Sequence, residues 1–364
     1  MHGEGVGVIH DRQRRCASAS LPVSGREFSL VEQPEQERLL ALWGDVLGGF
    51  CHERSAGVAV RVTEWATPSG VDDHERFLAT RDRRRANRAA LASYRELLAE
   101  AGAVAVGHEV LVTVTVDYRR ARRAAGSTGG RTQAAVDTLF EEMRLVAQRL
   151  EAAGLAVGPP LAPRQSAEVL ASRLDPGAAT RRRAGTASLA ELVGLAQPGS
   201  TMASVGALEW RHVRVGDCVH RSYWVAEWPR LECGSAWLEP LVLHAGGTRT
   251  LSILYEPVTP SRAERRIDRD STRLAADEEQ RSRAGFRIGA RHRRIQASVA
   301  EREAELVAGY AEMDFAGLLT VSGPDAVALA KACAGYEQAA AQAGIALLAL
   351  DGRHDLGLAC ALPL

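Results

Sequence analysis

The strongest periodicity in the chain is at Val110–Val116, where Val110, Val112, Val114 and Val116 alternate with Leu111, Thr113 and Thr115. A period of two predicts a strand. Upstream, Gly5–His10 and Cys16–Val23 alternate on either side of Asp11-Arg12-Gln13, which predicts a hairpin, and Val58–Trp65 predicts a further strand. Between them a helix is expected from about Pro34. Leu39, Leu42, Trp43, Val46, Leu47 and Phe50 fall on one stripe, and the proline sits early in the first turn, where its missing N–H costs little. Asp72 or Asp73 is placed to cap a long helix to Glu100, charged in its first half through Arg81–Arg85. Arg119–Gly130 reads as a basic, glycine-rich loop. Helix Thr132–Ala153 carries Val136, Leu139, Phe140, Met143, Val146 and Leu150, and Gly154 stops it before strand Leu155–Val157. A short helix over Ser166–Leu174 follows.

Past an irregular stretch at Asp175–Ser204, strands are expected around Ala207–Val215, Cys218–Trp228 and Thr250–Glu256, with a helix or turn at Ser235–His244. Pro260 opens a second long charged helix, interrupted near Gly285 and Gly289 and continued over Arg291–Ala311. Strand Phe315–Val321, helix Asp325–Ala343 and strand Ile345–Leu350 close the pattern. The run strand Val110–Val116, helix, strand Leu155–Val157 thus returns near the end, and both helices finish Ala-Gly before an apolar strand (Ala153-Gly154-Leu155 and Ala343-Gly344-Ile345). This order predicts an α+β fold of two ferredoxin-like (split βαβ) units, each a mainly antiparallel sheet with helices on one face, carrying long charged helices. The expected division is a first unit over 1–174, a linker or insert over 175–204 and a second unit over 205–364.

Composition narrows the classes. The chain has 364 residues, 46% of them hydrophobic and 25% charged, which excludes a wholly disordered chain, and no net charge, from 45 Lys+Arg against 45 Asp+Glu, which removes the basic excess usual for nucleic-acid binders. No apolar run reaches the roughly 18 residues of a spanning helix. Lys331 is the only lysine, so a phosphate-binding loop with its obligatory lysine is absent. The six cysteines show no Cys-x-x-Cys spacing, which argues against zinc and thioredoxin-like chemistry and fits a reducing compartment. Gly3-x-Gly5-x-Gly7 precedes a strand instead of following one and has Val8 where a dinucleotide fingerprint needs its third glycine. His52-Glu53, His74-Glu75 and His108-Glu109 lack the second histidine of a zincin. His212 and His220 flank a strand turn and are weighed as a shared metal pair against plain packing histidines. His354-Asp355 is weighed as part of a hydrolase triad, with no activated serine to complete it. The expectation is therefore a protein without catalytic, cofactor or metal residues, and without a cofactor.

What remains is surface. Trp224 and Trp228 are expected on one face of a strand with Ala226 between them, beside Arg221 and Arg230. With Arg287, Arg291, Arg293 and Arg294 they form the candidate interaction surface, either a stacking platform for single-stranded nucleic acid or a sheet face covered by a helix or partner. The runs Arg119–Arg123 and Arg281–Arg294 suit nucleic acid or anionic headgroups, and equally a solvated helix face.

A series of segments also resembles a family. They are Gly5–Arg12 (GVGVIHDR), Leu42–Leu47 (LWGDVL), Ser93–Leu98 (SYRELL), Ser222–Arg230 (SYWVAEWPR), Arg249–Val258 (RTLSILYEPV), Ala284–Arg287 (AGFR), Glu301–Leu306 (EREAEL) and Ala361–Leu364 (ALPL). Over nearly the whole chain they resemble an actinobacterial family encoded with conjugative elements beside type IV secretion components. That family is similar to the N-terminal, non-motor part of the large conjugative transfer ATPases, in which a Leu-Pro-Leu stretch precedes the motor. The resemblance implies a non-enzymatic docking component that binds a separate ATPase at the cytoplasmic face of the membrane, with homo-oligomers as a further expectation. Family members usually open with a pair of membrane helices that this sequence lacks, so membrane contact is expected only through such a segment. The first half is also similar to a type VII secretion component of the EccE-like kind. A single-stranded nucleic-acid-binding protein is the alternative of another class.

Overall fold

The computed structural model describes residues 5–25, 28–51, 55–68, 88–124, 130–176, 205–230, 233–283 and 289–364. The predicted cap at Asp72 or Asp73, the charged run after it, the apolar stretch inside 175–204 and Arg287 lie outside these residues. The first half contains β1 (Ile9–Asp11), β2 (Cys16–Ser24), α1 (Gln33–Gly48), β3 (Gly57–Pro68), α2 (Arg88–Val104), β4 (Val106–Asp117), α3 (Tyr118–Ala124), α4 (Arg131–Ala152), β5 (Ala156–Val157) and α5 (Pro163–Leu174). The second contains β6 (Val205–Glu209), β7 (His212–Val215), β8 (Cys218–Glu227), α6 (Glu239–Val242), β9 (Thr248–Pro257), α7 (Pro260–Arg283), α8 (Ala290–Val307), β10 (Met313–Gly323), α9 (Ala326–Gln342), β11 (Ala346–Ala349) and α10 (His354–Ala361).

All these strands join one antiparallel sheet, ordered β1-β2-β4-β3-β9-β10-β8-β7-β6, with β5 beside β2 and β11 beside β8. Read outward from the middle, each half has the same order: β3-β4-β2-β5 and β9-β10-β8-β11. The correspondence holds residue by residue. The Ser20 and Thr113 hydroxyls meet at 2.8 Å, as Ser222 and Thr320 do at 2.9 Å. The Leu161 N–H donates to the Ser20 carbonyl and the Leu350 N–H to the Ser222 carbonyl, both at 3.0 Å. Arg61 pairs with Thr113 and Thr250 with Thr320, so counting two residues on makes Thr63 the counterpart of Ser252. Thr63 and Ser252 are themselves paired where β3 meets β9, so the two repeats are related about that point.

The sheet's two faces are built differently. On one, Ala17, Ala19, Leu21, Val112, Val114 and Val116 pack beneath Leu139, Met143, Val146 and Leu150 of α4. Its counterpart sets Val219, Tyr223, Val225, Leu319 and Val321 beneath Leu329, Cys333, Tyr336 and Ala340 of α9. Each fully buried Leu, Val or Met side chain contributes about 1.5–3 kcal/mol. Both helices end on a glycine with positive φ, Gly154 at 84° and Gly344 at 72°. That conformation returns the chain through Leu155 N–H to the Leu150 carbonyl and Ile345 N–H to the Ala340 carbonyl.

The opposite face is a buried layer of hydroxyls: Ser18, Ser20, Thr113, Thr63, Ser252, Thr250, Thr320, Ser322 and Ser222. It carries α5 in the first repeat and α10 in the second, so helices cover both faces, not one as the alternation suggested. Short hydroxyls satisfy one another across strands, which lets a helix lie flat over polar residues that a sequence reading assigns to water. The C-terminal helix α10 is absent from the sequence-based reading. Its residues are apolar nearly all round, and at eight residues it is too short to show a period.

A second correction concerns Arg119–Gly130. Its first part is helical, not a loop, because the Asp117 carboxylate accepts the N–H groups of Arg119 and Arg120, both at 2.9 Å.

Candidate interaction surface

Trp224 lies on the hydroxyl face of β8, paired with Leu318 of β10 on one side and Leu348 of β11 on the other. Trp224 is 45% exposed and Leu348 52% exposed, so the row Leu318–Trp224–Leu348 is an apolar stripe open to solvent at the edge of the second repeat. Towards the other end of β8 the same face dives beneath α10, where Ser222 is fully buried.

Trp228 does not share this face. β8 ends at Glu227, Pro229 removes the next ladder donor, and the intervening tryptophan turns onto the apolar face. There its ring meets Phe315 at 5.4 Å and Trp237 at 6.2 Å between centroids, and Phe315 continues the series to Tyr255 and Trp43. Gly317 is required beneath it, because the Trp228 indole and Val225 fill the space a Cβ would occupy. The expectation of both tryptophans on one strand face is therefore overturned by the strand's end.

The arginines stand apart from both. Helices α7 and α8 form an antiparallel arm inserted between β9 and β10. The buried residues of α7 are Ala263 and Ile267, in its first two turns, while Arg266 holds Asp314 at the root through two bonds of 2.9 and 2.8 Å. Farther out α7 lies against α8, with Gln296 donating to Glu278 at 2.6 Å. Arg291 falls in the first turn of α8, and Arg293 and Arg294 are exposed there, about 20 Å along the helix from its root at Val307. The predicted surface is thus three places: an open stripe, an aromatic cluster and an arm.

The histidines singled out by sequence are packed or separated. His212 and His220 lie on opposite faces, since Val213 is the residue paired with His220, and among the described residues no group of three His, Cys, Asp or Glu is placed to hold a metal. His220 is fully buried. Its Nε2 lies 2.9 Å from the Leu174 carbonyl and its Nδ1 2.8 Å from the Ser322 hydroxyl. Those partners fit a neutral ring donating through Nε2, and burial pushes its pKa down to about 4. His354 is also fully buried, and its Nδ1 accepts the Ser222 N–H at 3.1 Å while Asp351 lies 3.3 Å from Nε2. Burial lowers its pKa, and Nδ1 keeps no lone pair for a serine proton.

The halves are stitched across the seam by pairings that the sequence reading did not single out. Arg249, fully buried on the apolar face of β9, makes a two-pronged bond to Glu64 of β3 and donates to the Val242 carbonyl. On the hydroxyl face Arg173 of α5 donates to Glu109 at 2.7 Å and lies 3.9 Å over the Trp65 ring. The same helix ends against His220 of the second repeat. In the other direction, the Leu362 carbonyl after α10 accepts from Arg61 of the first. Each covering helix therefore reaches the opposite repeat.

The chain matches no protein-family model and no curated protein sequence. Among the described residues no helix is long and apolar enough to cross a membrane.

Proposed function

We propose that this chain is a non-enzymatic docking component of an actinobacterial conjugative, type IV-like secretion machine, binding a separate ATPase at the cytoplasmic face of the membrane. The order β5-β2-β4-β3 and its counterpart β11-β8-β10-β9 support reading it as two ferredoxin-like units, as the resemblance implies. The observation that carries the docking role is the open stripe Leu318–Trp224–Leu348. An aromatic anchor flanked by leucines on a rigid sheet is the kind of surface a protein partner desolvates, and Trp is the residue type most enriched where binding energy concentrates.

The test is a pull-down of the full chain against the ATPase encoded beside it. Retention is expected for the native chain and is expected to fall at least about tenfold for Trp224→Ala, since an interface anchor is worth about 2 kcal/mol or more. Equal retention of the two proteins refutes the assignment of the stripe, and no retention of either refutes the partnership.

A further inference from the structure

We propose that the end of the sheet formed by the β1–β2 turn and helix α3 is a nucleic-acid contact that grips the phosphate backbone of a duplex. This does not rest on the docking reading and uses none of the residues assigned to it. The fold joins two arginine groups that are a hundred residues apart in sequence. Arg12, Arg14 and Arg15 occupy the turn, and every residue from Asp11 to Arg15 is exposed. Helix α3 starts directly beside it, with the Tyr118 N–H donating to the Arg15 carbonyl at 2.9 Å and the Tyr118 hydroxyl 2.7 Å from His10 Nδ1. Arg119, Arg122 and Arg123 are exposed at i, i+3 and i+4 of α3 and so share one helix face, while Arg120 turns inward to the Gly57 carbonyl.

The carboxylates nearby are occupied with the backbone. Asp11 accepts the N–H groups of Gln13 and Arg14, and Asp117 those of Arg119 and Arg120, all at 2.9 Å. Among the described residues the only ion pair in this region joins Arg14 to Asp11 at 4.0 Å. The chain's zero net charge thus conceals a local excess of guanidinium groups, seven arginines in the turn and α3 against the carboxylates of Asp11 and Asp117. The turn is also held in a conformation its residues do not favour: Arg15 has a φ of 58°, the only positive φ outside glycine among the described residues. A glycine or asparagine is usual at such a position, and here the chain keeps an exposed cation.

Chemistry selects the partner. Guanidinium groups pair with phosphate oxygens in two-pronged geometry. The arginines of α3 span ~6 Å along the helix, the reach of about two successive phosphates. Among the described residues the turn and α3 present no exposed large apolar side chain to settle into a headgroup layer, and Ala121 of α3 is buried. Its rings among the described residues, His10 and Tyr118, are taken up with each other, edge-to-face and through a hydrogen bond, rather than set out as a platform for unpaired bases. Duplex is therefore favoured over both single strand and membrane.

The test measures anisotropy of a labelled duplex, and of one of its strands alone, with the full chain at rising salt. Sedimentation with phosphatidylserine-rich vesicles runs in parallel. Three proteins are compared: native, R119Q/R122Q/R123Q and the arm control R293Q/R294Q. All substituted residues are exposed, and circular dichroism checks folding. Duplex binding is expected for the native chain, weakened at least about tenfold by the triple substitution, with the log–log salt slope reduced by about 2–3. The arm control is expected to bind like the native chain. The proposal is overturned by no duplex binding at low salt, by binding indifferent to the triple substitution, by loss in the arm control instead, or by preference for vesicles or the single strand.

Discussion

In the first repeat, the position two residues past Ser20 on the hydroxyl face is Pro22, and the strand beside it runs straight into Gly158, Pro159 and Pro160. In the second repeat the corresponding position is Trp224, and the neighbouring strand is the longer Ala346–Ala349 carrying Leu348. Prolines blunt an edge by denying it donors, whereas Trp and Leu on a longer strand leave an adhesive one. The other end of the sheet shows the reverse. The first repeat has the arginine turn and α3. In the second the turn holds Gly216 and Asp217, and Asp325 caps α9 directly, with its carboxylate accepting from Val327 and Ala328. Each half therefore keeps the shared packing plan and differs at one end, which explains how a neutral chain exposes one apolar stripe and one cationic end.

The largest expected effect tests whether the halves are separable. Glu64→Gln leaves Arg249 fully buried without its counter-charge, and a broken buried pair costs about 3–5 kcal/mol. A single cooperative urea transition at lower midpoint supports one folding unit; two separated transitions refute it. Next is a pH effect seated in the second repeat. His220 occupies the place of Ser18, and its folded pKa of about 4 lies below the usual 6.5. The unfolded chain takes up the proton first, so stability is undiminished above pH 6.5 and falls as pH drops towards 4, by about 3 kcal/mol in all. Burial of His354 adds to the same slope. His220→Ser, which installs the first repeat's residue, is expected to lower stability at pH 7 but flatten its acid dependence; an unchanged slope in urea titrations counts against this.

Gly317→Ala, by forcing a methyl against the Trp228 ring, is expected to cost about 1–3 kcal/mol by thermal melting. Arg15→Gly removes a strained φ and is expected to raise stability by about 0.5–1 kcal/mol while weakening duplex binding. A gain in stability with binding intact separates the turn's conformation from its charge. Smallest is Trp224→Ala, expected within about 0.5 kcal/mol of native stability because nearly half the ring is in water.

The elements with strong periods were legible: β4 from its alternating valines, α4 from its stripe, and the Ala-Gly stops from their glycines. Even the repeat was visible in outline. The two surfaces were legible only as residues, Trp224 and the run Arg119–Arg123, and not as places, because each depends on what a strand's end or a neighbouring turn does in space. Trp224 and Trp228 have the spacing of one face, yet Glu227 ends the strand between them. Arg119–Gly130 reads as a loop because its glycines dominate the pattern, while the cap that starts the helix, Asp117, is the last residue of the preceding strand. The seam pair Glu64–Arg249 joins residues 185 apart, and no local pattern announces such a bond.

The arm formed by α7 and α8 leaves the sheet from β9 and returns to β10, and β9 is also the strand that meets β3 over the seven residue pairs from Val60–Tyr255 to Ala66–Arg249. In mechanical terms the arm is a lever whose fulcrum is the middle of a plate. With α5 strapped to His220 and the segment after α10 strapped to Arg61, both covering helices tie the plate across the strand pair beside which the arm is rooted.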